Sequence, residues 1–197
     1  MLYGAPTARR QDAQRNRAAI VRAASEVMTS GGSVIPMPEI ARRAGVGQAT
    51  LYRHFPDRSA LAAAVIAHHL KRLEAFVSAD ACPPAMFRQL LREVLHTQVA
   101  MRPLVLLARR FDPSAREHYQ KRLLAAFCEP LRLAQSEGYV RSDVTPGDLL
   151  LLFAMVQGVA EATDEVADAQ AAADRAIDLA LDGVFRTGDP EGSARAG

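Results

Sequence analysis

Apolar residues recur at helical spacing along almost the whole chain, and no run alternates apolar and polar residues over more than four positions. That pattern restricts the chain to an all-α fold. Residues 9–30 place Ile20, Val21, Ala24, Val27 and Met28 on one stripe, and Gly31-Gly32 stop the helix. Residues 57–79 predict a long helix capped by Asp57. Pro83-Pro84 break the chain, and further helices are expected over 85–100, 103–110, 114–136, 146–168 and 171–186. The stretch from Gly188 on has the composition of a flexible tail.

Residues 36–55 read PMPEIARRAGVGQATLYRHF. Ile40, Ala41 and Ala44 give a short helix one apolar face, Gly45 ends it, and a second short helix starts at Gly47. Two short helices joined by a turn containing glycine form a helix-turn-helix. With Leu51 set at zero on a helical wheel, Phe55 falls about 40° away, whereas Ala49 and Arg53 fall at about 160° and 200°. Leu51 and Phe55 therefore mark the buried side and Arg53 the outer one.

A helix in a DNA major groove aims its outer residues at base edges and its flanks at phosphates. Arg53 suits a guanine, Gln48 an adenine and Ala49 a thymine methyl. Thr50, Tyr52 and His54 suit phosphates, as does Arg58 in the first turn of the next helix. Arg42 and Arg43 add charge to the first helix of the pair, and Arg9 and Arg10, at the entry to the module's first helix, suit a neighbouring minor groove or backbone. Singly, each has a plain alternative: Tyr52 as a half-buried aromatic, His54 as a surface histidine, Arg42-Arg43 as a hydrated helix face. Charge decides between them. The chain's net +2 conceals 11 Lys/Arg against 5 Asp/Glu in residues 1–75 and 13 against 17 in the remainder. A basic module joined to an acidic one favours DNA binding at the basic end.

The run IARRAGVGQATLYRHFPDRSAL resembles the DNA-binding signature of the TetR family of bacterial transcriptional regulators, over about residues 12–70. The resemblance implies a three-helix DNA-binding module followed by a larger helical domain that dimerises through its last two helices and holds a small effector. Two positions depart from the family pattern. Gly47 stands where a capping Ser is common, and Arg58 stands where Lys is more frequent.

Residues 9–56 are expected to form the DNA-binding module, 57–187 the regulatory domain, and 1–8 and 188–197 flexible tails. Helix 146–168 carries apolar residues on more than one side and so must be buried twice. Leu149, Leu152, Val156 and Val159, with Ile177, Leu181 and Val184 on the last helix, are the expected dimer surface; the alternative is a monomer with a large core. The expected effector pocket takes Leu95, Gln98, Met101, Leu106 and Arg110 from the middle helices. Tyr119, Leu123 and Phe127 join it from the helix after them, and Phe153 and Gln157 from the one beyond. The same residues equally suit an ordinary core.

Other classes have little support. No apolar run approaches the roughly 20 residues of a membrane-spanning helix, and the N-terminus lacks the apolar core of a signal peptide, so a cytoplasmic protein is expected. Cys82 and Cys128 are far apart, and the histidines lack metal-ligand spacing, so no metal or other cofactor is expected. No catalytic residue is identified, because nucleophile, base and phosphate-loop motifs are missing. The reading is a homodimeric repressor on a palindromic operator, released by a small-molecule effector. An activator or architectural DNA-binding protein without effector is the alternative, and a helical-domain enzyme is disfavoured.

Overall fold

The computed structural model describes residues 5–29, 36–78, 83–162 and 166–185. Among them the chain forms α1 (Ala5–Thr29), α2 (Met37–Arg43), α3 (Gln48–His54), α4 (Arg58–Ser78), α5 (Phe87–Ala100), α6 (Arg102–Ala108), α7 (Pro113–Ser136), α8 (Pro146–Ala162) and α9 (Val166–Val184). A 3₁₀ turn over Pro84–Met86 leads into α5, and the sole non-helical pairing described is a bridge between Val140 and Phe185. The all-α expectation holds. Residues 1–4 and the expected tail 188–197 lie outside the described residues, as do Cys82 and the side chain of Arg9, whereas residues 5–8, expected in the N-terminal tail, belong to α1.

Prolines set helix starts where the sequence places them: Pro103 lies in the first turn of α6 and Pro113 begins α7. Their missing N–H groups cost nothing there. One boundary differs from expectation. The helix expected to reach residue 168 ends at Ala162, and Val166–Asp168 belong to α9. Asp168 then lies in the first turn of α9, where the helix dipole favours a carboxylate.

The helices pack around two separate cores. In the first, Ile20, Ala24 and Met28 of α1 meet Ile40 and Ala41 of α2, Leu51 of α3 and Phe55 just after it, Leu61 and Val65 of α4, Met101 just before α6 and Leu104 within it. In the second, Phe87, Leu91 and Leu95 of α5 meet Phe127 and Leu131 of α7, Leu149, Phe153 and Val156 of α8, and Ile177 and Leu181 of α9. Burying a Leu, Ile or Phe side chain contributes about 1.5–3 kcal/mol, so each core is the main stabilising feature of its unit. The units comprise residues 1–69 with 100–112, and 70–99 with 113–197. The packing boundary therefore lies inside α4, not at residue 57, and α6 joins the N-terminal core although α5 and α7 on either side belong to the other.

Within the second unit α5 and α9 are registered by charge as well as apolar contact. Arg88 pairs with Asp182 at 2.6 Å, Arg92 with Asp178 at 2.6 Å and His96 with Asp174 at 3.3 Å. The rungs recur every four residues along both helices, so one face of each is matched in antiparallel order. Exposed pairs of this kind stabilise little singly, about 0–1 kcal/mol each, but a slipped register would bring unlike neighbours together.

Candidate nucleic-acid interface

The turn between α2 and α3 is closed by backbone bonds. Val46 N–H donates to Ala41 O at 3.0 Å and Gly45 N–H to Arg42 O at 3.2 Å, the paired bonds that end a helix through one left-handed residue. Gly45 is that residue, with φ +68°. Val46 follows and packs against the N-terminal core. Gly47 then caps α3 in an extended conformation, φ −67° and ψ 148°, without a side-chain bond. Beyond α3, Asp57 Oδ1 accepts from Ala60 N–H at 2.7 Å, so the expected cap of α4 is formed.

Leu51 and Phe55 are buried in the first core, and this fixes the rotation of α3. Gln48, Ala49, Tyr52 and Arg53 are exposed, while Thr50 and His54 on the flanks are half-buried. Arg58 is exposed at the start of α4. In the free chain Arg53 folds back along its own helix. Its Nε donates to Ala49 O at 3.2 Å and its Nη2 to Thr50 Oγ1 at 2.9 Å. These are exposed bonds that a base edge can replace at little cost.

Arg42 and Arg43 are differently engaged. Both converge on Glu39: Arg42 donates to both carboxylate oxygens at 2.7 Å and Arg43 Nε to Oε1 at 2.7 Å. Their hydrogen bonds draw the Glu39 carboxyl down to about 2. One carboxylate thus offsets half of the charge that the sequence reading assigned to this helix.

The sequence reading also passed over Arg17. Its guanidinium lies over the Phe55 ring, 4.4 Å from the centroid. The signal was present in the spacing, because Arg17 is one turn before Ile20 and Val21 and so borders the apolar stripe of α1.

The expected effector residues divide. Leu95, Phe127, Phe153 and Gln157 are buried together in the second core, with Leu123 packed on them and Tyr119 half-buried nearby on α7. Gln98 Nε2 donates to Phe153 O at 2.9 Å, and Gln157 Nε2 donates to Glu161 at 2.8 Å. Met101, Leu106 and Arg110 do not belong with them. α6 turns Met101 and Leu104 into the N-terminal core, which leaves Leu106 and Arg110 exposed on its other side.

The expected dimer surface needs a larger correction. Leu149, Leu152, Val156, Ile177 and Leu181 are buried inside the second core of a single chain, and Val159 and Val184 are half-buried. The large apolar side chains that α8 and α9 leave outside are Leu151, 63% exposed, Met155, 64%, and Leu179, 54%. α8 is apolar on more than one side, as the sequence indicates, but the apolar side chains its own chain leaves uncovered are Leu151 and Met155. Among the described residues no helix is long and apolar enough to cross a membrane, and no three His, Cys, Asp or Glu residues are grouped to hold a metal.

Comparison with known proteins matches both units. Residues 20–65 match the family model described as bacterial regulatory proteins, tetR family, and residues 81–186 match that of the transcriptional regulator SbtR-like C-terminal domain. HTH-type transcriptional regulators of Mycobacterium bovis and Mycobacterium tuberculosis are 31% identical over 159 residues, which cover 74% of this chain and 78% of theirs. Among solved structures, a TetR transcription regulatory protein from Mycobacterium vanbaalenii aligns with a TM-score of 0.64 at 30% identity, covering 90% of this chain and 99% of its own. A TetR transcriptional regulator from Streptomyces coelicolor aligns with a TM-score of 0.66 at 29% identity, covering 87% and 99%.

Two measurements check this geometry. Gly45→Ala forces an L side chain to positive φ and is expected to lower stability by about 1–2 kcal/mol. Gly47→Ser supplies the absent cap, in space that is open around that Cβ, and should raise stability by a few tenths of a kcal/mol. Urea unfolding of both variants reads the two signs. For Glu39, a folded pKa of about 2 lies below the usual glutamate value of 4.5, so whatever stability its pairs contribute is fully present above 4.5 and lost as pH falls through 2. Carboxyl NMR should show that midpoint; titration at the ordinary glutamate value would mean the pairs do not persist in solution.

Proposed function

The chain belongs to the TetR family of bacterial transcriptional regulators and is a DNA-binding regulator, and on that premise we propose that it acts as a homodimeric repressor of a palindromic operator, released by a small-molecule effector. The observation that carries the DNA half of this reading is the outward face of α3. Arg53 and Ala49 point away from the core, Gln48 is exposed at the helix start, and Tyr52, 46% exposed, stands beside them. The unit that bears α3 holds 12 Lys/Arg against 5 Asp/Glu across residues 1–69 and 100–112. Such an excess draws DNA phosphates without regard to sequence. Base contacts from α3 then supply selectivity.

Dimerisation is supported by Leu151 and Met155, exposed one turn apart on α8, and by Leu179, exposed on α9. Large apolar residues clustered at a surface favour contact with a partner, and a second copy is the partner that presents two α3 helices to a two-fold operator. Release requires an effector that binds one arrangement of the protein better than the DNA-bound one. The group of buried Phe127, Phe153 and Gln157 with half-buried Gln98 is the proposed place for it.

An activator, or a DNA-binding protein with no effector, shares every feature of α3 and differs in its response to small molecules.

Leu151→Glu with Met155→Glu should convert the protein to monomers in analytical ultracentrifugation while its helical content is kept; a persisting dimer places the interface elsewhere. Arg53→Ala should cost about 1–3 kcal/mol on selected DNA and relax preference at one base pair in each half-site. Equal loss on every sequence would assign Arg53 to phosphate instead.

A further inference from the structure

Basic side chains in the N-terminal unit differ in whether their donors are already used. Arg42 and Arg43 are bound by Glu39. Arg15 lies 3.3 Å from Asp12, and Arg53 donates to its own helix. Arg17 is in another state. It is exposed, and its guanidinium meets the face of Phe55 at 4.4 Å, with no hydrogen bond or ion pair among the described residues.

The geometry of that contact matters for chemistry. A cation held over a ring face is attracted by the ring's π electrons, and the contact uses none of the guanidinium's five N–H donors as a hydrogen bond. Phe55 is the residue that ends α3, its N–H donating to Leu51 O at 2.8 Å, and its ring is 1% exposed. The ring cannot move without opening the core, so the stacked cation has a fixed base. It stands at the C-terminal end of α3, where the helix dipole favours positive charge. Tyr52, His54 and Arg58 lie within three residues of Phe55 along the chain. The nearby Asp57 carboxylate is engaged as the cap of α4.

We propose that Arg17 is a DNA-backbone contact, its guanidinium held over Phe55 so that its unused donors grip a phosphate beside the end of α3. The assignment rests on the reading of α3 as the recognition helix. It moves part of the phosphate contact from α2, where one carboxylate already holds both arginines, to α1. A stacked arginine loses less freedom on binding than an unsupported one, and a planar fork matches two phosphate oxygens.

The test uses the full-length protein with two labelled duplexes, one selected from a random pool by the wild-type chain and one of mixed sequence. Arg17→Met keeps a long apolar side chain over Phe55 and removes the charge; R17Q is a second charge-removing variant should R17M lose helical content. Arg17→Lys keeps the charge without the planar stack. R17M is expected to melt close to wild type yet bind both duplexes about tenfold or more weakly. The slope of log K against log salt should fall by about 0.9 for each subunit on the DNA. R17K should restore the slope and only part of the affinity. Wild-type affinity and slope in folded R17M or R17Q would overturn the proposal. So would a loss that R17K leaves unrestored in slope, which would make Arg17 a packing residue. Failure of the wild type to bind either duplex would instead count against the DNA-binding reading of α3.

Discussion

The orientation of α3 depends on the burial of two side chains. Leu51 and Phe55 occupy the core formed by α1, α2, α4 and α6, and their removal from water sets which residues of a seven-residue helix face outward. A helix this short has little stability of its own. Its position is held by tertiary contact, by the closed turn at Gly45 before it and by the Asp57 cap of α4 after it. Everything attributed to Gln48, Ala49, Tyr52 and Arg53 follows from that anchoring, as does the stacking of Arg17 on Phe55.

The two cores divide the chain in a way that sequence order does not. α4 runs unbroken from the first unit into the second, with Leu61 and Val65 in one core and Leu73 packed against the other. At α6, only seven residues long, Met101 at its start and Leu104 within it are buried with α1–α4 although α5 and α7 belong to the second unit. The chain therefore passes between the two units three times, within α4 and at the α5–α6 and α6–α7 junctions.

Much of this was legible beforehand. Period and turn chemistry foretold the helical class, the turn at Gly45, the Asp57 cap and the rotation of α3, because each is decided within a few residues. What failed was decided at longer range. A wheel reveals that α8 has two apolar stripes but not which one its own chain covers, so Leu149, Leu152 and Val156 were assigned outward in place of Leu151 and Met155. Leu106 and Arg110 were grouped with Phe127 because sequence order hides that α6 faces the other core. Counting charges could not show that Glu39 holds both Arg42 and Arg43, or that Arg17 stands apart from any carboxylate among the described residues.

The central claim is that α3, presented twice by a symmetric pair of chains, reads DNA. Selection of bound duplexes from a random pool by the wild-type protein tests it most directly. The account predicts an inverted repeat whose half-sites lie about 34 Å apart, one helical turn, or a multiple of it. Enrichment of a single asymmetric site, or no enrichment over the starting pool, would contradict it.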